Sequence, residues 1–193
     1  MDENSAIKNL QLALTSEGAR FILDPQMTRF RAPVLGEVLA FWRSKAGPDG
    51  VPFRRDFTPQ SMRSFLSNVA LFEVVRQVAG PNRIRARLTG PEFGRTFSDM
   101  SLKCVDEVVP EKFYKRWTLI FDTALSYRRP FRSVFVPEAF DREHSVAEFL
   151  LAPLLDEVGE QNQFVVAINL EFGASWDAVY AAEATYLKSS SVG

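Results

Sequence analysis

The chain has 193 residues but only one cysteine and one histidine. A lone Cys104 excludes an intrachain disulfide and any metal site built from several cysteines. A lone His144 weakens every mechanism that needs a histidine cluster or a Cys/His pair. Charge of one sign is also lacking. There are 23 Lys and Arg against 24 Asp and Glu, a net charge of -1, so no global field favours nucleic acid or an anionic membrane. No apolar run is long enough to cross a bilayer. The opening residues, Met1-Asp-Glu-Asn-Ser5, have neither the basic region nor the apolar run of a signal peptide. The expected compartment is the cytoplasm, with no nucleic-acid partner and no membrane insertion. Gly-x-Ser-x-Gly, a phosphate loop and His-Glu-x-x-His are missing too. The paired carboxylates Asp156 and Glu157 fall in a polar turn. An enzyme reading has only the acids and bases that any protein carries, so no enzymatic activity is expected.

What remains is an ordinary globular composition, 46% hydrophobic and 24% charged, with the length of one domain plus some extra helix. The unusual feature is seventeen Phe. Aromatics fill a core, line a pocket or build an interface.

The chain is organised around Asn68 to Lys103. Asn68 to Val75 reads as a strand that is apolar on both faces apart from Glu73, and a Gly80-Pro-Asn82 turn follows. In the next strand Ile84, Ala86 and Leu88 alternate with Arg83, Arg85 and Arg87. Gly90-Pro91 stops that strand and opens a short helix to Phe97.

Upstream, Ile7, Leu10 and Leu14 share one face of a weak helix from Ser5 to Gly18, and Phe21 to Phe30 reads as irregular. Pro33 opens a better helix with Leu35, Val38, Leu39 and Trp42 as its stripe. Thr58-Pro59 caps a short helix carrying Met62, Phe65 and Leu66. Downstream, Glu111 to Arg128 is the strongest helix, with Phe113, Trp117, Ile120, Phe121 and Ala124 on one side. Three strands follow in series: Phe131 to Val136, Ser145 to Leu154 and Phe164 to Phe172. A last helix carries Trp176, Val179, Tyr180 and Leu187.

This order predicts an α+β fold. It has a five-stranded antiparallel sheet, with the short helices and the long helix on one face. The terminal helices flank it and are free to cover the other face. Three parts are expected: an N-terminal helical extension (1–32), a domain (33–172), and a C-terminal helix and tail (173–193).

Strand, strand, short helices, long helix and three strands is the order of a PAS domain. Leu39-Ala-Phe-Trp42, Pro52-Phe-Arg-Arg-Asp-Phe-Thr-Pro59, Phe65-Leu66 and Leu71-Phe-Glu-Val-Val75 resemble the opening of the proteobacterial PAS_5 family, also called DUF1457. Arg85-Ala-Arg-Leu-Thr-Gly90 is similar to that family's Arg-x-Arg-Leu-x-Gly strand end, and Arg129-Pro130 before a strand also fits. The resemblance covers about Leu35 to Phe172. It departs at Ser98-Asp-Met-Ser-Leu-Lys103, where the family carries a Gly-x-Asp-Leu-Thr-Gly-like turn. The resemblance implies a sensory or regulatory protein that binds a small ligand and signals through a separate protein. The alternatives are a ligand-free interaction module that works as a homodimer through Leu10, Leu14 and the Trp176 helix, or a small-molecule enzyme on a similar scaffold.

A pocket, if present, belongs between the sheet and Phe93 to Phe121. Phe93, Phe97, Trp117, Phe121 and Phe149 are the candidate lining residues, on their aromatic character and placement. The opposite possibility is that they fill the core. Arg54 is a further ligand candidate. It lies two residues from Asp56 in a segment read as extended, which points both side chains the same way. The pair either pins the lead-in loop or lets Arg54 face an anion. Arg83, Arg85 and Arg87 form a solvated row or an anion surface. His144, among Asp141, Arg142 and Glu143, reads as a surface residue. Cys104 lacks the Asn-Cys-Arg-Phe setting of light-sensing relatives. No ligand set for heme or for a flavin adduct stands out, so both are argued against, while a fatty acid, a carboxylate or a nucleotide remains open.

Overall fold

The computed structural model describes residues 3–27, 29–47, 50–138 and 144–190. Five helices run through them: α1 (Glu3–Ser16), α2 (Pro33–Lys45), α3 (Pro91–Phe97), α4 (Glu111–Tyr127) and α5 (Trp176–Ser190). Six strands join them: β1 (Phe21–Asp24), β2 (Val69–Val75), β3 (Arg83–Thr89), β4 (Phe131–Phe135), β5 (Ser145–Leu155) and β6 (Gln161–Phe172). The strands form one antiparallel sheet in the order β1-β4-β5-β6-β2-β3. From β2 to β6 the chain follows the expected α+β order.

Every residue of β5 is buried. A strand apolar on both faces must be covered on both, and it is. Ala147, Phe149 and Leu151 face one cluster with Phe72, Phe164, Val166, Phe121 and Ala124. Leu150, Ala152 and Leu154 face a second cluster, with Leu35, Val38, Leu39 and Trp42 of α2. Trp42 brings its indole N–H into that layer and donates it to the Pro153 carbonyl at 2.7 Å, so the ring is buried without stranding a donor.

Four expectations need correction. The short helix expected after Thr58-Pro59 is a run of turns over residues 59–65 that passes into a 3-10 turn at Leu66–Asn68. Residues 21–24, read as irregular, are the sixth strand β1, paired with β4 from Phe21↔Phe135 to Asp24↔Arg132. The N-terminal helix does not cover the second face. Ile7, Leu10 and Leu14 are buried in the first cluster, on the same side as α4, and are not available as a dimer surface. The second face is covered by α2 and, at the β4 end, by Val179 of α5. Finally, Leu88 does not share a face with Ile84 and Ala86. Phe72 pairs with Ala86 but Leu71 pairs with Leu88, which leaves Arg87 as a bulge residue and turns Leu88 to the α2 side.

α1 ends as its glycine suggests. Gly18 takes a left-handed φ of 76°, the Ala19 N–H reaches the Leu14 carbonyl and the Gly18 N–H reaches Thr15, a Schellman closure. The turn lays α1 along the free edge of β1. There the Gln11 amide donates to the Phe21 carbonyl and accepts from the Leu23 N–H, both at 2.8 Å. The other edge, β3, is met by residues 102–103 through Leu102 N–H to Ala86 and Ala86 N–H to Lys103. Open strand edges invite pairing with other chains, and both edges of this sheet have local partners.

A buried charge cluster joins α5 to the sheet. Arg132 of β4 is fully buried. Its guanidinium meets Glu148 of β5, Asp24 of β1 at 3.3 Å and Glu183 of α5 at 2.9 Å. Glu148 also accepts the backbone N–H groups of Arg31 and Ala32. Burial alone would raise the Glu183 pKa, but the Arg132 hydrogen bonds and charge outweigh it and hold the carboxyl below its ordinary range, helped by Arg29 and Arg31. Of the described side chains in α5, only Val179 and Glu183 are buried. The helix is therefore anchored to the sheet by a charge as much as by apolar contact.

Candidate functional site

Apolar side chains converge where α1, β1 and α4 meet the first face of the sheet, and they leave a cavity of about 80 Å³. α4 presents Phe113, Trp117, Ile120 and Phe121 to it; the strands present Phe21, Phe135, Phe149 and Val166; α3 adds Phe97, and Leu14 closes the α1 side. The rings meet both edge-on and stacked. Phe97 lies edge-on to Trp117 at 5.1 Å, Phe135 edge-on to Phe149 at 5.8 Å, and Trp117 parallel to Phe121 at 6.0 Å. Edge and offset contacts of this kind are the preferred arrangements of aromatic pairs.

One end of the cavity is charged. Arg20, Arg116 and Glu138 line it. The Glu138 carboxylate takes hydrogen bonds from Arg20 Nε at 3.2 Å and Arg116 Nη1 at 3.0 Å. Arg116 Nη2 donates to the Glu17 carbonyl at 3.1 Å. Among the described residues its buried Nε has no hydrogen-bond acceptor; Glu17 Oε2 stands 4.0 Å away. The guanidinium also lies over the Phe113 ring, 5.2 Å from its centre. A buried donor without an acceptor is uncommon, and this nitrogen is sealed from any water-sized contact.

Four of the six sequence candidates, Phe97, Trp117, Phe121 and Phe149, line this cavity. Phe93 is fully buried behind it, 5.1 Å from Phe97 and 5.6 Å from Phe72. Arg54 is elsewhere. Residues 54–56 form a 3-10 turn, not an extended segment, and Arg54 Nη1 donates to the Phe57 carbonyl at 2.9 Å. With Arg55, Glu73, Arg87 and Asp156 it borders an open polar groove on the α2 side of the sheet. There burial and the neighbouring Arg87 charge lower its pKa.

The arginine row is also divided. Arg83 holds Asp106 and Glu107 at 2.9 Å, while Arg85 and Arg87 share Glu73 at 3.5 Å. Cys104 is buried at the β3 edge and His144 is exposed at the start of β5; neither lines the cavity. Nor does the turn from Ser98 to Lys103, which keeps a glycine-like backbone without glycine: Ser98 has φ 69° and ψ 163°. Among the described residues, no group of three or more His, Cys, Asp or Glu is placed to hold a metal ion, and no helix is long and apolar enough to cross a membrane.

The sequence reading missed Arg20, Phe21, Arg116, Phe135 and Glu138. Arg116 falls one residue before Trp117 on the helix already singled out. A single polar residue beside an apolar stripe was the available signal.

No model of a known protein family matches the chain, and no curated protein matches it. The PAS_5 resemblance therefore rests on the motifs alone. Among solved structures, the chain is similar to an RNA-binding light-oxygen-voltage receptor, with a TM-score of 0.42 and 12% identity over 89% of this chain. It spans 43% of that receptor's length.

Proposed function

We propose that this chain is a non-catalytic sensory or regulatory domain of the PAS type. It takes a small, mainly apolar ligand into the cavity between α4 and the sheet and signals through a separate protein or a second copy of itself. The aromatic-lined cavity carries this reading, because ligand sites are concave, mostly apolar and carry a few convergent polar groups. Its walls come from α1 as well as from the sheet and α4. Ligand binding therefore has a direct route to the packing of a flanking helix, through whichever packing the ligand prefers. The element order and the motifs from Leu39 to Gly90 support the PAS assignment. A single buried thiol suits a reducing compartment such as the cytoplasm.

Ligand-observed NMR with a mixture of small metabolites tests the reading. We expect at least one compound to receive saturation from the protein, and to lose it in Ala19→Leu and in Val166→Phe, which add carbon atoms at two sides of the cavity. If nothing binds, the chain is instead a ligand-free interaction module; if binding is indifferent to both substitutions, the ligand sits elsewhere and the reading of this cavity is wrong.

A further inference from the structure

The polar groove on the α2 side of the sheet is a second candidate site, and its reading does not depend on the aromatic cavity. We propose that it binds a small phosphate monoester with a hydroxylated body, such as a sugar phosphate, the phosphoryl group between Arg54 and Arg87. Three observations carry it. The first is the convergence of cations on one carboxylate. Arg85 and Arg87 of β3 both reach the same oxygen of Glu73, Oε1, at 3.5 Å, beyond the roughly 2.7–3.2 Å of a good hydrogen bond. Arg54 comes from the 3-10 turn to border the same groove. Three guanidiniums therefore share the neighbourhood of one loosely held carboxylate. The second is how Arg54 is held. Its Nη1 donates to the Phe57 carbonyl at 2.9 Å, which keeps the side chain half-buried in the groove that Arg87 also borders. Burial and then the Arg87 charge lower its pKa, and Glu73 offsets less than Arg87 takes away. An anion between the two cations would relieve both. Arginine forks match the geometry of a phosphoryl group, and a phosphate monoester carries about 1.5 to 2 negative charges at neutral pH. The third is the size and polarity of the remaining lining. The groove has a volume of about 460 Å³, within the roughly 300–1,000 Å³ of small-molecule sites, so there is room for a body beyond the phosphoryl group. Taken whole, the lining is balanced: Arg54, Arg55 and Arg87 against Glu73, Asp156 and Glu157. A general attraction for anions is therefore not the basis of the assignment. Asp156 is committed to its own turn, where it accepts from the Val158 and Glu160 N–H groups and the Asn162 amide. Glu157 and Gln163 supply polar groups for the hydroxyls of the body.

The experiment is calorimetric titration of the full chain at neutral pH and constant ionic strength with glucose-6-phosphate, ribose-5-phosphate, inorganic phosphate, gluconate and glucose. We expect at least one sugar phosphate to bind, about tenfold more tightly than inorganic phosphate or gluconate, and glucose not to bind. Arg54→Gln and Arg87→Gln should each weaken the sugar phosphate about tenfold. Lys115→Gln, which removes an exposed cation of α4 on the opposite side of the sheet, should leave it unchanged. Glu73→Gln should tighten binding several-fold by removing the competing carboxylate, a gain that a damaged fold would not give. If neither sugar phosphate binds, the proposal is wrong. It is also wrong if Lys115→Gln weakens binding as much as Arg87→Gln, the mark of a general attraction for anions. Equal affinity for gluconate would overturn the phosphoryl assignment, and equal affinity for inorganic phosphate would overturn the hydroxylated body.

Discussion

Replacing Arg132 with methionine is expected to destabilise the protein by about 3–5 kcal/mol, enough to unfold a large share of a marginally stable domain. Methionine keeps most of the side-chain volume, so the effect isolates the charge. The cation lies among three carboxylates, Asp24, Glu148 and Glu183, all buried. Its removal takes away their shared buried cation and leaves only backbone N–H groups and the more exposed Arg29 and Arg31 as partners, in a medium where charge is costly. The comparison is Arg85→Met, which removes an exposed partner of Glu73 and should change stability by less than about 1 kcal/mol. Chemical denaturation at neutral pH reads both. The direction with pH follows from Glu183, whose carboxyl Arg132 holds below its ordinary range. Without that cation it binds a proton more readily in the variant than in the parent, so the gap between the two proteins should narrow on acidification. A loss below 1 kcal/mol for Arg132→Met would mean that the cluster is hydrated and that α5 is held by other contacts.

Gly90→Ala is expected to destabilise by about 1–3 kcal/mol or more, although its backbone is ordinary for any residue. Gly90 joins β3 to α3 with φ −73° and ψ 160°, so left-handed strain is not the reason. A Cβ here would fall inside van der Waals contact of the Leu66 and Ser67 carbonyl oxygens and 2.7 Å from the Ser67 carbonyl carbon. All three are backbone atoms and cannot rotate away. The strand would have to separate from the turn that feeds β2, straining the bond from the Gly90 N–H to the Val69 carbonyl at 2.8 Å. Gly47→Ala is the control: among the described residues nothing lies within 4 Å of its added carbon, and its effect should be within about 0.5 kcal/mol. Equal stability of the two variants by thermal denaturation would show that the close approach at Gly90 is not maintained in solution.

Gly90 also shows what sequence reading reaches. A glycine ending Arg-Leu-Thr-Gly before a proline marks a boundary, and the motif gives it importance; the carbonyls of Leu66 and Ser67 give the cause. The helices and long strands were legible because their apolar spacing is set by burial on one face or two. Phe97, Trp117, Phe121 and Phe149 were chosen on aromatic character and placement, and the structure sets them around one cavity. β1 was not, since Phe-Ile-Leu-Asp before a proline is too short to show a period, and its extended state is imposed by pairing with β4. The bulge at Arg87 breaks an alternation that looks perfect in the sequence. Arg132 was invisible as a buried cation because Asp24, Glu148 and Glu183 lie 108, 16 and 51 residues away in the chain. The charged end of the cavity was missed for a related reason. It is assembled from Arg20, Arg116 and Glu138, which lie far apart in the chain and meet only where β1 and α1 dock beside α4.

The most direct test of the cavity is a crystal structure determined under xenon pressure. Xenon enters dry apolar cavities of this order of size and needs no specific ligand chemistry. We expect a xenon atom among Phe97, Trp117, Phe135 and Phe149. A well-ordered structure with no xenon there, and with those rings closed on one another, would contradict the proposal that this cavity holds a ligand.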